Sequence, residues 1–233
     1  MRHFFLYFYN LKKGINCFFF FNFILPAYAL SQVNDAGLWI SATAEKNFKS
    51  LYSFYLNPQL RLSENYTQIG SYFFDSGFSY ALPSLNIKLT GSYRFAQKRN
   101  LNESYSIRHR FYGDFNYKRK AKKILVAYRF RYQYQFKDVN RSDDWQITAN
   151  YIRNKFTCKL KPDESLRPFV FIDSWYRLNS GPKEFDNIRL GFGLDYEIDK
   201  YQSISPSFFM DKEFHVNNPY TNFIIGFDYS YSF

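Results

Sequence analysis

The chain of 233 residues carries 31 lysines and arginines against 20 aspartates and glutamates, a formal charge of +11, and 23% of it is aromatic, with 22 tyrosines and 29 phenylalanines. This length holds one large domain or two small ones with a sizeable core, and the negative mean hydropathy excludes a bundle of transmembrane helices.

One long apolar run exists. Lys12 and Lys13 precede Ile15 to Leu25, with Phe18 to Phe21 at its centre, and the tripeptide Ala27-Tyr28-Ala29 follows. Basic start, short apolar centre and small-residue box are the grammar of a signal peptide. Asn16, Asn22 and Pro26 interrupt the run, which is shorter than the roughly 20 apolar residues that span a bilayer as a helix. The expectation is an exported bacterial protein cleaved after Ala29, with residues 30–233 as the folded domain. Cys17 lies inside the run and not after a small-residue box, which argues against a lipoprotein anchor. Cys158 is then the single remaining thiol, so no intrachain disulfide staples the fold. Neither zinc spacing nor a CxxC pair occurs, and no cofactor or metal is expected.

From residue 36 onward apolar and polar residues alternate with period two in segments of about ten residues or more, the signature of strands with two different faces. In chain order these are Leu38 to Glu45, Tyr52 to Leu62, Tyr72 to Leu82, Leu85 to Phe95, Ser104 to Lys118, Ile124 to Phe136, Trp145 to Lys159, Pro168 to Arg177, Asn187 to Ile198, Tyr201 to Asp211 and Asn222 to Phe233. Ile124 to Phe136 is the clearest. Ile124, Val126, Tyr128, Phe130, Tyr132, Tyr134 and Phe136 alternate there with Leu125, Ala127, Arg129, Arg131, Gln133 and Gln135. Short and longer connections alternate, as in an up-and-down meander. Single-chain bacterial barrels normally have even strand counts, so eleven segments imply ten strands if Leu38 to Glu45 is not one, or twelve if a further strand lies between Asp35 and Phe74, and twelve is slightly favoured. The expected fold class is all-β, a single antiparallel transmembrane β-barrel.

A soluble barrel and a membrane barrel both alternate, but place the apolar face on opposite sides. The polar set here, rich in Arg, Gln, Asn, Ser and Gly, suits a hydrated interior. The Tyr- and Phe-rich set suits a lipid-facing wall with aromatic girdles. A terminal strand with Tyr229, Tyr231 and Phe233 on its apolar face resembles the C-terminal signal read by barrel-assembly machinery.

Trp39, Gln59-Leu60-Arg61, Gly91-Ser92-Tyr93-Arg94-Phe95, Arg108-His109-Arg110-Phe111, Arg153-Asn154-Lys155, Arg167-Pro168-Phe169 and Arg189-Leu190-Gly191, in this order, resemble a bacterial group of outer-membrane barrels, the domain of unknown function 2490. The resemblance covers nearly all of residues 30–233 and implies an outer-membrane barrel. It carries no established activity, so it transfers no catalytic residue.

The phase puts Arg61, Lys88, Arg94, Arg108, Arg110, Lys118, Arg129, Arg131, Arg153, Lys155, Arg177 and Arg189 in the lumen, with Asp75, Asp114, Asp173, Asp195 and Glu197. Such an interior is expected to be largely self-paired, in a structural barrel or a narrow solute conduit that admits a small anionic solute. For catalysis the candidates are His109, placed by phase on the lipid side, and His215, near Asp211 and Glu213. They leave a lipid- or peptide-modifying hydrolase as an alternative to the expected non-enzymatic role, and a soluble periplasmic ligand-binding barrel is the other. Asp143-Asp144 lacks metal-ligand spacing. Nucleic-acid binding is not expected, because aromatics and arginines lie on opposite faces. Outer-membrane lipid and the assembly machinery are the expected partners.

Overall fold

Residues whose side chains alternate between two surroundings can satisfy both only as extended chain. In the computed structural model the chain forms eleven strands: β1 (Val33–Phe48), β2 (Tyr52–Ser63), β3 (Gln68–Leu82), β4 (Ile87–Arg99), β5 (Tyr105–Ala121), β6 (Ile124–Lys137), β7 (Ile147–Leu160), β8 (Leu166–Arg177), β9 (Phe185–Glu197), β10 (Gln202–Glu213) and β11 (Tyr220–Ser232). The structure describes residues 33–233 apart from 50, 101, 138–146, 161–164, 180–184 and 215–218. Residues 1–29, expected to be a signal peptide, and Asp143, Asp144 and His215 lie outside the described residues.

The strands close into a barrel in which every neighbour is next in sequence except at the join of β1 and β11. That join is parallel, in register from Val33 opposite Tyr220 to Glu45 opposite Ser232. An odd meander leaves its first and last strands pointing the same way, so it can close only through a parallel pair. The count of eleven falls within the expected range, and the parity argument for twelve fails for this reason. The backbone N–H of Asn47 donates to the Phe233 carbonyl (2.8 Å) and that of Phe233 to the Glu45 carbonyl (2.9 Å). Ser41 donates to the Asp228 carboxylate across the same join.

One end of the barrel, the turn end, carries the connections 49–51, 83–86, 122–123, 161–165 and 198–201; the loop end carries 64–67, 100–104, 138–146, 178–184 and 214–219. The tight connection at 64–67 holds Glu64, Asn65 and Tyr66 in the left-handed region, φ 52 to 70°. Asp35 of β1 accepts the backbone N–H groups of Glu64 (3.0 Å) and Asn65 (2.9 Å), which satisfies donors the turn leaves unpaired.

The two faces are inverted relative to a soluble protein. Phe54, Phe78, Phe111, Phe156, Val170 and Phe192 are exposed on the outside, while Asp75, Arg131, Gln133, Arg153, Asp173 and Asp211 are buried inside. Apolar side chains out and charges in is the arrangement of a barrel solvated by lipid. Amphipathic aromatics ring both rims: Tyr52 with Tyr80 and Tyr231 with Phe233 at the turn end, Tyr72 with Tyr105 and Tyr176 with Phe185 at the loop end.

Inside, glycine and aromatic residues stand directly opposite one another on neighbouring strands. Trp39 pairs with Gly226, Tyr55 with Gly77, Phe169 with Gly193, and Gly191 with both Phe171 and Phe209. A Cβ at Gly191 would lie 2.4 Å from the Phe209 Cβ, and one at Gly193 2.6 Å from the Pro206 carbonyl. The missing side chains are the space into which the rings fold, and Trp39, Phe169, Phe171, Phe209 and Ile224 form an apolar cluster in an otherwise polar lumen.

Two measurements test this architecture. In a Cys158→Ser background, Ala42→Cys paired with Tyr229→Cys, partners in register on the outer face, is expected to form a disulfide on oxidation, since paired strands lie within disulfide reach. A twelfth strand between β1 and β11 would leave both thiols free on a non-reducing gel. Gly191→Ala is expected to destabilise the barrel by about 1–3 kcal/mol through overpacking, whereas Gly91→Ala, whose Cβ would meet nothing within 4 Å, is expected to leave the melting of the heat-modifiable band unchanged.

Candidate functional site

The inward row of each strand decides what the lumen can do. A cavity of about 590 Å³ occupies the middle and loop-side part of the barrel, lined by Trp39, Arg61, Phe73, Arg110, Asp173 and Arg189 among others. The turn-side interior residues Lys88, Lys118, Lys159, Asp195 and Glu197 line no part of it. The cavity is therefore confined to one part of the barrel's length.

Its floor is built from ion pairs. The Arg94 guanidinium forks onto Asp75, with Nε to Oδ1 at 2.5 Å and Nη2 to Oδ2 at 2.6 Å, and the Tyr112 hydroxyl donates to the same carboxylate at 3.1 Å. Arg131 forks onto Asp114 at 2.6 and 2.7 Å. Asp173, 1% exposed, accepts from Arg153 at 2.7 Å and from Arg129 at 3.3 Å. Arg189 donates to Asp211 at 2.6 Å. Toward the turn end Lys88 meets Glu45 at 2.6 Å, Lys159 pairs with Asp195, and Arg167 with Glu197. Charges held at the centre of a lipid-embedded barrel stay ionised only when paired or hydrogen-bonded, and bidentate guanidinium–carboxylate pairs do this best.

Rings cover the guanidinium faces. The Arg61 guanidinium lies 3.4 Å from the centre of the Trp39 ring and 4.7 Å from that of Phe73, Arg94 3.7 Å over Phe73, Arg131 3.8 Å over Tyr112 and Arg153 4.1 Å over Trp175. The electron-rich ring face offsets part of each cation's lost hydration.

Of the residues that alternation places inside, Arg61, Arg94, Arg108, Arg110, Arg129, Arg131, Asp173 and Arg189 line the cavity. Asp195 lies below it, accepting from Lys159 and from the Ser205 hydroxyl at 2.8 Å. Tyr229, Tyr231 and Phe233 are exposed on the outer face at the turn end. His109 stands on the outer wall, stacked on Phe136 at 5.3 Å with its Nδ1 2.7 Å from the Tyr93 hydroxyl, away from every lumen carboxylate. Among the described residues no three of His, Cys, Asp and Glu gather as a metal site.

Alternation alone does not single out the lumen aromatics Tyr55, Phe73, Tyr112, Phe171, Trp175 and Phe209. Their parity does: each shares its strand's phase with an inward arginine, aspartate or serine, as Tyr112 does with Arg110 and Asp114.

The beta domain of the Bordetella autotransporter BrkA is similar to this chain in fold, with a TM-score of 0.52 at 9% identity over 78% of this chain and 82% of that one. No curated protein matches the chain. The family model described as "Protein of unknown function (DUF2490)" matches residues 36–220, nearly the whole of the barrel, and the chain belongs to that family.

Proposed function

We propose that this protein resides in the outer membrane of a Gram-negative bacterium as a non-enzymatic barrel whose lumen is closed on the turn side of the cavity. Its role on this reading is structural, and any solute passage is narrow. The observation that carries the proposal is the burial of charge across the lumen. Asp173 and Gln133, in the cavity wall, are 1% and 2% exposed, and the pairs Arg153–Asp173, Arg94–Asp75 and Arg131–Asp114, with Lys88–Glu45, Lys159–Asp195 and Arg167–Glu197 toward the turn end, narrow the space a porin leaves to water. An eleven-strand circumference supports this reading, since barrels of eight strands are filled by side chains and those of 16–18 enclose a channel. The outward rows of Phe, Tyr and Leu support a lipid surround, since in water they would form an aggregating surface. Tyr229, Tyr231 and Phe233, exposed beside the join, suit recognition by the assembly machinery.

Reconstituted into planar bilayers, the purified barrel is expected to give no stable porin-sized steps; regular large openings would refute the closed lumen. Asp173→Asn strands two guanidinium groups without their carboxylate and is expected to cost about 3–5 kcal/mol, the penalty of breaking a buried pair. Glu64→Gln, which removes the partner of Arg99 at a site 61% exposed, is expected to cost less than about 1 kcal/mol. Comparing the temperatures at which the cold-gel band of each variant is lost checks both.

A further inference from the structure

Among the described residues, ten basic and five acidic side chains line the lumen cavity, and these acids are all engaged. Asp75 is held by Arg94 and Tyr112, Asp173 by Arg153 and Arg129, and Asp186 by Arg177. Asp228 accepts from Ser41, and Glu213 from the backbone of Tyr220. Five of the ten cations pair with a carboxylate: Arg94, Arg129, Arg131, Arg153 and Arg189. The other five, Arg61, Lys98, Arg108, Arg110 and Lys155, reach none among the described residues. Their contacts are neutral: Arg61 donates to Gln59 (3.2 Å), Arg108 to Ser106 (3.5 Å) and Arg110 to Gln135 (3.0 Å from Nε), while Lys155 lies 4.2 Å from the centre of the Phe171 ring. The Arg61 Nε is buried without a hydrogen-bond partner.

Neutral partners hold a guanidinium in place but leave its charge uncancelled. Five such charges around one water-sized volume repel one another, and an oxyanion in their midst removes that repulsion while filling the donor forks. The cavity volume of about 590 Å³ lies in the range of small-molecule sites.

We propose that this loop-side cavity binds a small polyphosphate-like anion, held by Arg61, Lys98, Arg108, Arg110 and Lys155. Multiple charge is what the site selects, since five cations without a paired carboxylate among the described residues are poorly matched by a single carboxylate. The proposal rests on the lumen being closed beneath the cavity, because a blind cavity retains an anion that an open channel would pass. Trp39 and Phe73, already covered by the Arg61 guanidinium, hold the fork rigid and leave its edge for the ligand.

The test is calorimetric titration of the detergent-solubilised full-length barrel with sodium tripolyphosphate, citrate and maltose, with the heat-modifiable band as proof of folding in each sample. Tripolyphosphate is expected to bind, to raise the melting temperature by linkage, and to bind more weakly as salt rises from about 0.1 M to about 1 M and the screening length falls from about 10 Å to about 3 Å. Arg61→Gln and Arg110→Gln are each expected to weaken binding about ten- to a hundredfold, the value of one charge-assisted hydrogen bond or more. Lys118→Gln, outside the cavity, is expected to leave it unchanged. Lys98→Gln, close to the strand end, serves if either arginine variant fails to fold, with the same direction expected. A folded barrel that takes up no tripolyphosphate overturns the site. Citrate or maltose binding as tightly as tripolyphosphate overturns the polyphosphate class. Porin-sized conductance overturns the closed lumen instead, so the two failures are distinct.

Discussion

Every backbone N–H and C=O in hydrocarbon needs a partner within the protein, and the rest of this structure follows from that demand. A polar chain without a stack of apolar helices meets it only by closing a sheet on itself. Eleven strands in sequence order cannot close with an antiparallel last pair, so β11 lies parallel to β1. The side chains then inherit their surroundings from the cylinder. Every second residue meets lipid, which accounts for the outward density of Phe and Tyr, and every other residue meets a narrow interior whose polar groups must find one another.

The interior is solved by two devices that divide the work. Carboxylates take up half of the cavity's basic groups, two of them, Arg94 and Arg131, in bidentate pairs. Rings take up the guanidinium faces, and four inward rings, Tyr55, Phe171, Phe169 and Trp39, each stand opposite a glycine, Gly77, Gly191, Gly193 and Gly226. Among the described residues the cavity wall carries fewer acids than cations. The charge left over there is a property of the whole cavity wall and belongs to no single residue.

Much of this was legible in the sequence, because the rule that connects residues to faces is purely local. Period two places Arg129 and Arg131 inside and Phe130 and Tyr132 outside without any knowledge of neighbours. Strand count was legible for the same reason, and was pulled toward twelve only by a rule about parity that the parallel join of β1 and β11 evades. What local pattern could not supply is register. Arg94 opposite Asp75, Arg131 opposite Asp114 and Arg189 opposite Asp211 become visible once neighbouring strands are aligned. Arg129 reaching Asp173 across β7 is visible only in three dimensions. The inward aromatics are placed by parity, but the glycines opposite Tyr55, Phe171 and Phe209 become visible only with register. Which cations remain uncompensated therefore depends on register and reach together, and no motif announces it.

The parallel join also gives the wall a direction of weakness. Parallel ladders are slightly less stable per residue than antiparallel ones, and β1 and β11 are the one adjacent pair not tied by a connection at either end. In mechanical terms the cylinder has a seam. Side chains also cross it: Ser41 to Asp228, Asn47 Nδ2 to the Ser232 hydroxyl at 2.7 Å, and the Lys46 ammonium 4.5 Å from the centre of the Phe233 ring. A strain that widens the barrel there is resisted by the backbone ladder of β1 and β11 and by these side chains, with no hairpin connection to share it.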